Sequence, residues 1–386
     1  MATVPRTADV VIVGGGVMGV STAYHLARKG CPRVLLLERE PYFGQGSTGA
    51  CAGGIRHQFS TEVNIRLSIE SIRMLERFPE EMGQEIGLNQ CGYLFLLTTD
   101  EEVAQFRRHV ALQHRLGVMT EWLTVDEIAR RVPQLNLEGI QGGTFYGRDG
   151  LCDPHSVVMG YVQQARRLGA TLLTDTPVTA IEVEGGRVVG VRTPAGRVAT
   201  EHVVIAAGPW SGLVGELAGV SIPVRPLRRQ IAVTRPLPWV TRDFPFVIDF
   251  HLSLYFHWES GGILTGMSNH TETFGFKTSV DPEWTLVHLE HAVWRLPPLA
   301  DAELQAQWAG LYEVTPDHNP IIGRVPPVEG LYAVTGFSGH GFMHGPVAGL
   351  LMAEEILDGG AHTVDITPLR YERFAEGALW PERHVV

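Results

Sequence analysis

The stretch Val10-Val-Ile-Val-Gly-Gly-Gly-Val-Met-Gly-Val-Ser-Thr-Ala-Tyr24 decides the fold of this chain. Its apolar beginning predicts a parallel strand buried on both faces, and its three glycines predict a tight turn into an amphipathic helix. A second apolar run, Val34-Leu-Leu-Leu-Glu38, follows the helix. Strand, glycine turn, helix and strand in this order are typical of a dinucleotide-binding unit.

The glycines and the acidic residue of this motif each have a predicted role. Gly14 permits the turn, Gly16 lets the backbone approach a pyrophosphate, and Gly19 lets helix and strand pack closely. The helix N-terminus offers free N–H groups to the phosphates. Glu38 stands where a carboxylate accepts hydrogen bonds from a ribose 2′-OH. A carboxylate here argues against a 2′-phosphate and therefore against NADP.

Length and composition exclude several classes of protein. With 386 residues, the chain predicts two domains or one large domain with insertions. The net charge is −11 and there is no Lys/Arg block, so we expect no nucleic-acid surface. No apolar run approaches the length of a membrane span, and no signal peptide is predicted. The four cysteines stand singly, which indicates neither a zinc site nor a disulfide framework, and the cytoplasm is the expected compartment.

Two further glycine-rich loops narrow the identity of the dinucleotide. Small residues dominate Phe43–His57, and a helix with apolar residues on one stripe is predicted straight afterwards. A strand at Leu331–Val334 leads into Gly336-Phe-Ser-Gly-His-Gly-Phe-Met-His-Gly-Pro346, and Pro346 is predicted to start a helix through Leu357. A nicotinamide enzyme does not need these extra loops, whereas a flavin with its ribityl chain and planar ring does. The predicted cofactor is therefore FAD.

The remaining segments predict an α/β fold of two interleaved parts. One is a Rossmann-like FAD-binding domain with a parallel sheet, to which a buried strand in the stretch Val203–Trp210 is predicted to return. The other is a mixed, largely antiparallel-sheet substrate domain formed by two excursions of the chain, the second with predicted strands at Gln230–Arg235, Val247–Trp258 and Gly262–Met267. The predicted boundaries are 1–90, 151–225 and 324–386 for the FAD-binding domain, and 91–150 and 226–323 for the substrate domain.

Four stretches together resemble a known family: the opening motif, Ser47–Phe59, Trp308–Gly323 and Gly336–Leu357. They are similar to the FAD-dependent amine oxidoreductases of the D-amino-acid-oxidase superfamily, especially sarcosine oxidase β-subunits, L-proline dehydrogenase β-subunits and glycine oxidases. With the opening motif, the resemblance implies an FAD site formed by Gly14, Gly16, Val17, Met18, Gly19, Glu38, Arg39, Ser47, Thr48, Ala52, Gly53, Gly54, Val178, Ala207, Gly208, Trp210, Gly336, Gly339, His340, Gly341, Phe342 and Met343.

The same resemblance implies residues on the substrate side. Arg56 falls where sarcosine oxidases place an arginine near substrate and flavin, and Tyr312 where they place a tyrosine. Tyr255 is similar to another active-site tyrosine. Within the predicted strand Val247–Trp258, His257 shares a face with Tyr255. We therefore expect Arg56 to bind a carboxylate and Tyr255, His257 or Tyr312 to accept or relay a proton.

The sequence departs from the family pattern at three places. Gly310 stands where monomeric sarcosine oxidases attach FAD to a cysteine, and Pro154 where β-subunits attach FMN to a histidine, so non-covalent FAD is expected. Met343 replaces a lysine that helps oxygen react. This last difference favours a dehydrogenase over an oxidase.

The predicted function is FAD-dependent oxidation of the C–N bond of a small secondary or N-methyl amino acid, such as sarcosine or proline. Hydride passes to flavin N5, and the imine is hydrolysed. The electron acceptor is oxygen or a partner flavoprotein, and the chain is a possible subunit of a hetero-oligomer. Three alternatives stay open: a peroxide-producing oxidase, a flavin-bearing subunit without turnover, and an NAD-dependent enzyme.

Overall fold

The computed structural model of the protein describes residues 3–385. Its α-helices are α1 (Val17–Arg28), α2 (Glu62–Glu76), α3 (Phe78–Met82), α4 (Asp100–Arg115), α5 (Val125–Arg131), α6 (Pro154–Arg167), α7 (Ser211–Glu216), α8 (Pro282–Arg295), α9 (Gly341–Leu357) and α10 (Arg373–Glu376). Its strands are β1 (Val10–Val13), β2 (Val34–Leu37), β3 (Gly54–Ile55), β4 (Tyr93–Leu97), β5 (Glu121–Leu123), β6 (Gly142–Tyr146), β7 (Gly150–Leu151), β8 (Thr171–Leu173), β9 (Ala180–Glu184), β10 (Arg187–Thr193), β11 (Gly196–Ala199), β12 (Val203–Ile205), β13 (Arg225–Thr234), β14 (Phe246–Asp249), β15 (Leu254–Glu259), β16 (Gly262–Met267), β17 (Leu304–Val314), β18 (Ile321–Arg324) and β19 (Leu331–Thr335).

A six-stranded sheet contains the opening strand, in the order β18-β19-β12-β1-β2-β8. Its neighbours pair in parallel except β18, which is antiparallel to β19. Val10 and Ile12 pack with the helices, whereas Val11 and Val13 pack with the three-stranded sheet β9-β10-β11. Because both faces are covered, the whole strand is apolar, and the predicted doubly buried strand is confirmed.

An eight-stranded mixed sheet forms the second part, in the order β17-β13-β16-β15-β14-β4-β6-β5. Its pairs are antiparallel except β14 with β4. The α/β fold class, with a mainly parallel sheet interleaved with a largely antiparallel one, is therefore confirmed. The division into two domains stays a prediction, and β18 (Ile321–Arg324) pairs in the first sheet although the predicted boundary stands at 323/324.

Several local signals act as the sequence indicates. Asp153 caps α6 by accepting hydrogen bonds from the backbone of His155 and Ser156, with a proline in the first turn. Gly185 and Gly186 have φ of 57° and 80°, and this pair of positive values makes the tight hairpin between β9 and β10. Within residues 3–385, no helix is long and apolar enough to cross a bilayer.

Three sequence predictions about secondary structure are wrong in detail. Helix α9 begins at Gly341 and contains Pro346, because Gly345 and Gly349 let α9 pack closely on α1 and this burial offsets the missing backbone N–H. The predicted strand at 247–258 is two strands, β14 and β15, separated by a turn at 250–253. Strand β13 begins at Arg225, five residues before the predicted start at Gln230.

Candidate functional site

A cleft of about 860 Å³ lies between the two sheets. It is lined by the loops that follow β1, β2 and β12, by the start of α9, and by side chains of β13, β15 and β17. Crevices at the carboxyl ends of parallel strands are the usual ligand sites of such sheets. The volume is within the range of cofactor pockets.

The N-terminus of α1 faces this cleft with no cap from its own N-cap residue, Gly16, and no acidic residue in its first turn. Of its first N–H groups, that of Val17 donates to Thr48 Oγ1 at 3.2 Å. Its N–H groups and dipole therefore favour an anion such as a pyrophosphate. Gly14 has φ of 115°, and a Cβ built on it would lie 2.3 Å from the carbonyl oxygen of Ala206. The Glu38 carboxylate accepts a hydrogen bond from the backbone N–H of Gly15 at 2.5 Å, which holds the acid beside the glycine turn.

The second glycine-rich loop connects the first sheet to the second. Ser47 Oγ donates to the Leu311 carbonyl oxygen at 2.6 Å, and Trp308 Nε1 donates to the Ala50 carbonyl oxygen at 2.9 Å. Both hydrogen bonds therefore join this loop to β17. A Cβ built on Gly310 would lie 2.8 Å from the Ala50 Cβ, so loop and strand are in close contact there.

The third glycine-rich loop brings a second uncapped helix N-terminus to the cleft. Helix α9 starts at Gly341 with no side-chain cap at His340 and no acid in its first turn. His340 and Met343 line the cleft. Burial lowers the pKa of His340, so its imidazole is neutral, and its Nε2 has no hydrogen-bond partner within residues 3–385.

One face of the eight-stranded sheet forms the other wall, which we call the chamber wall. Register places Tyr255, Gly266, Ile231 and Trp308 in one row across β15, β16, β13 and β17. A Cβ built on Gly266 would lie 2.3 Å from the Tyr255 phenol oxygen, so glycine lets that ring lie across β16. Tyr312 lies on the same face of β17.

Tyr255 and Tyr312 both line the cleft. Burial raises the pKa of each phenol, well above the usual value for Tyr255, while Arg229 opposes the rise at Tyr312. Both side chains are therefore neutral O–H groups near pH 7. A Cβ built on Gly339 would lie 2.4 Å from the Tyr312 ring, so this tyrosine also touches the third glycine-rich loop.

Most of the predicted site residues line this one cleft, and three do not. Gly19 lies outside the lining, where a Cβ would be 1.9 Å from the Gly14 carbonyl oxygen, and Gly336 packs on Thr315 with φ of 83°. His257 is buried beside the cleft, stacked on Phe246 with ring centroids 4.8 Å apart. Its Nδ1 bonds to the Trp258 carbonyl oxygen at 2.6 Å, and burial lowers its pKa to about 4.

The predicted residues that do line the cleft are Gly14, Gly16, Val17, Met18, Glu38, Arg39, Ser47, Thr48, Ala52, Gly53, Gly54, Arg56, Val178, Ala207, Gly208, Trp210, Tyr255, Tyr312, Gly339, His340, Gly341, Phe342 and Met343. The contact of each with cofactor or substrate stays a prediction.

Arg56 is fixed by the protein itself. Its guanidinium donates to the carbonyl oxygens of Gln58 and His384, and it lies 3.9 Å from the centroid of the Phe59 ring. The bond to His384 ties Arg56 to the segment 382–385 near the end of the chain. Val385, the last described residue, also lines the cleft.

Sequence reasoning missed Arg229, Glu313 and Val385, which also line the cleft. Arg229 could have been found from the Arg228-Arg229 pair, because alternation along a longer strand puts the two on opposite faces. Glu313 accepts hydrogen bonds from Thr335 Oγ1 at 2.9 Å and from the backbone of Phe337 at 3.2 Å, and burial raises its pKa. Its neighbours are distant in sequence, so no local pattern indicates it.

Comparisons with known proteins agree with this geometry. The family model DAO, FAD dependent oxidoreductase, matches residues 9–355. FAD-dependent oxidoreductase domain-containing protein 1 of Xenopus laevis is 31% identical, over 99% of this chain and 85% of its own length. Mitochondrial dimethylglycine dehydrogenase of Mus musculus is 31% identical, over 95% of this chain and 44% of its own length. The solved L-proline dehydrogenase of P. horikoshii is 33% identical with a TM-score of 0.92, covering 98% of this chain and 100% of that chain.

The chain spans less than half of the dimethylglycine dehydrogenase but the whole of the proline dehydrogenase chain. The family resemblance seen in the sequence is therefore confirmed, FAD is the cofactor, and the activity is that of an amine or amino-acid oxidoreductase. The cleft fits the cofactor, since three glycine-rich loops and two helix N-termini without acidic residues in their first turns line it. The chain belongs to the DAO family of FAD-dependent oxidoreductases.

Proposed function

We propose that the chain oxidises the C–N bond of a small secondary or N-methyl amino acid, such as sarcosine or proline. The observation that carries this proposal is the set of side chains on the chamber wall together with Arg56, which follows β3 beside it. Two guanidinium groups, Arg56 and Arg229, and two neutral phenols, Tyr255 and Tyr312, face the same cleft as the dinucleotide loops. Cations suit the carboxylate of an amino acid, and phenol O–H groups suit its amine.

Charge in the chamber also favours the reactive form of the substrate. An ammonium group cannot give up hydride readily, so the amine must lose a proton first. Two nearby guanidinium groups and burial both disfavour a bound ammonium. The phenols of Tyr255 and Tyr312 then orient the neutral amine by hydrogen bonding, and the buried wall excludes water.

FAD, when bound, supplies the hydride acceptor. The residues that would hold it are the backbone of Gly14–Met18, the carboxylate of Glu38 and the N-terminus of α9. Orientation of the substrate against that cofactor is the contribution of the chamber wall. Two similar proteins support this substrate class, because one is a dimethylglycine dehydrogenase and the other an L-proline dehydrogenase.

The proposal is tested by anaerobic mixing of the FAD-loaded protein with sarcosine, dimethylglycine, L-proline, glycine and D-amino acids. We expect flavin absorbance to bleach fastest with a secondary or N-methyl amino acid. Bleaching by primary amino acids alone would contradict the substrate class. If no compound in the panel bleaches the flavin, the proposed catalytic assignment is wrong, and a flavin-bearing subunit without turnover becomes the favoured alternative.

A peroxide-producing oxidase is the second candidate, and Met343 bears on the choice. Met343 lies in the first turn of α9 and lines the cleft, where the family resemblance expects a lysine that assists oxygen. We therefore propose a dehydrogenase whose acceptor is a partner flavoprotein. Admitting air after anaerobic reduction tests this: we expect slow reoxidation, and rapid recovery of flavin colour with peroxide formation would identify an oxidase.

A further inference from the structure

Two adjacent arginines on β13 have opposite surroundings. Arg228 is buried on the face away from the cleft, where its guanidinium lies 2.6 Å from Glu272 and 3.2 Å from Asp281. Arg229 points to the other face and lines the cleft. Its Nη1 donates to the Arg228 carbonyl oxygen at 3.1 Å, whereas its Nε is buried without a hydrogen-bond partner within residues 3–385.

Arg229 also lacks a counter-charge in the part of the chain that the structure describes. Glu272 is an acid in its neighbourhood, but the Glu272 carboxylate is bonded to Arg228. The Tyr312 ring lies 5.1 Å from the Arg229 guanidinium carbon and is uncharged. A half-buried cation with a buried, unbonded Nε and no anion is costly to a folded protein, so this geometry favours an anionic ligand.

Arg56 differs from Arg229 in each of these respects. Both of its terminal nitrogens donate to backbone carbonyl oxygens, of Gln58 and His384. Its flat face is covered by the Phe59 ring. One N–H of each terminal nitrogen is therefore used within the fold, and the bond to His384 holds the segment 382–385 beside the cleft.

We infer that Arg229 is the anchor for the substrate carboxylate, and that Arg56 is a positioning residue for the segment 382–385. The inference rests on the proposed function, since it takes the ligand to be an amino acid. Tyr312 connects the anchor to the cofactor side, because its ring touches both Arg229 and the Gly339 loop. A carboxylate held by Arg229 therefore places the rest of a small amino acid next to that loop.

The test uses the full-length, FAD-loaded protein and a ligand that cannot be oxidised. Pyrrole-2-carboxylate and its neutral counterpart, pyrrole-2-carboxamide, are titrated while flavin absorbance is followed. For Arg229→Leu we expect the Kd of the carboxylate to rise about 100-fold, as for the loss of a buried charge pair, with the Kd of the carboxamide little changed. Arg229→Lys keeps the charge without the planar fork, so an intermediate loss is expected.

Arg56→Leu is the matched control. We expect it to change the Kd of carboxylate and carboxamide by the same factor, because it displaces the segment 382–385 and not a carboxylate contact. A selective loss of carboxylate binding in Arg56→Leu and not in Arg229→Leu would overturn the inference. Loss of FAD from both Arg229→Leu and Arg229→Lys would also overturn it, since Arg229 would then belong to the cofactor site.

The titration separates this inference from the proposed function. It needs bound FAD but no turnover, so it gives a result even if no amino acid in the panel reduces the flavin. If sarcosine or proline reduces the flavin equally well in wild type and Arg229→Leu, the function stands and the anchor is wrong. If the wild type binds carboxylate and carboxamide with equal affinity, the chamber does not select carboxylates and the anchor is again wrong.

Discussion

The two walls of the cleft are built by different means. One wall is formed by the loops that follow β1, β2 and β12 and by the start of α9, and we call it the cofactor wall. There, backbone approaches backbone: a Cβ on Gly14 would meet Ala206, and a Cβ on Gly19 would meet Gly14. On the chamber wall, side chains such as Tyr255 and Arg229 stand on a sheet face whose glycines make room for them. The cofactor wall therefore requires glycines, which have no side chain, at its close contacts. The chamber wall depends on the identity of its side chains.

This difference separates what each wall can tolerate. Added atoms on the cofactor wall push main chain against main chain, which cannot move without disturbing the parallel sheet. Added atoms on the chamber wall push a ring, which can rotate at a cost to its position. Substitutions on the first wall should therefore abolish cofactor binding, whereas those on the second should leave FAD bound and impair the reaction.

The largest effect is expected at the glycine turn. Gly14→Ala combines a φ of 115° with a Cβ 2.3 Å from the Ala206 carbonyl oxygen, so we expect a loss of about 3 kcal/mol in unfolding free energy and no FAD in the purified protein. Gly30→Ala is the control, because it has φ of 90° but no heavy atom within 4 Å, and it should cost about 1 kcal/mol with FAD retained. Flavin absorbance and denaturant unfolding measure both. Full FAD occupancy in Gly14→Ala would contradict the close-approach explanation.

The cofactor wall could be predicted from sequence, and the chamber wall could not be predicted to the same depth. Gly14, Glu38 and the strand around them are close in sequence, and each has a local physical requirement that limits the residue type. Arg229, Tyr255 and Tyr312 meet because of strand register between β13, β15 and β17, which no local pattern fixes.

The same distinction explains two places where the structure differs from the expectation drawn from the sequence. Alternation along the strand places His257 on the same face as Tyr255. It does not predict that His257 stacks on Phe246, because Phe246 belongs to β14. Likewise, the sequence predicts that Pro346 begins a helix. In the structure Pro346 lies inside α9, where close packing of α9 against α1 offsets its missing N–H. Both differences come from contacts between elements that are distant in sequence.

On the chamber wall, Gly266→Ala should impair the reaction without loss of FAD. Its Cβ would lie 2.3 Å from the Tyr255 phenol oxygen, so the ring must move by about 1 Å or more, and a displacement of that size costs about 100-fold in kcat/KM. Gly360→Ala adds the same methyl group where nothing lies within 4 Å and should behave as wild type. Anaerobic flavin reduction and flavin content are measured together. Parallel loss of both in Gly266→Ala would show that the two walls are not independent.

A smaller effect is expected where the segment 382–385 completes the chamber. The buried Glu382 carboxylate accepts hydrogen bonds from the backbone and side chains of Ser60 and Thr61, at 2.5–3.1 Å. Burial opposes its ionisation, but His384 and the donors of Ser60 outweigh this and hold the pKa of Glu382 below its usual value. We expect Glu382→Gln to lower the unfolding free energy by about 2 kcal/mol near pH 7.

The pH dependence of that loss gives a second check. A lowered pKa in the folded state stabilises the fold fully above the unfolded carboxyl pKa of about 4.3, and the stabilisation disappears as pH falls towards the folded value. The difference between wild type and Glu382→Gln should therefore shrink below about pH 4. Glu329→Gln, which breaks an exposed ion pair with Arg187, is the control and should change stability by under about 0.5 kcal/mol. A gap between Glu382→Gln and wild type that is constant from pH 7 to pH 3 would contradict the ionised buried carboxylate.

The smallest effect is expected at Trp210, a side chain of the cofactor wall that also contacts the loop after β16. Trp210 lines the cleft, with the Arg39 guanidinium 4.1 Å above its ring and Phe276 stacked at 5.8 Å on a loop that follows β16. Exposed cation–π contacts contribute about 0.5–1 kcal/mol, so Trp210→Leu should speed FAD dissociation about threefold, measured by flavin fluorescence after dilution. Phe276→Leu keeps the contact between Arg39 and Trp210 and removes only the stacking of Phe276 on Trp210. If it speeds dissociation as much as Trp210→Leu, FAD retention depends on both walls; if it has no effect, Trp210 acts through the cofactor wall alone.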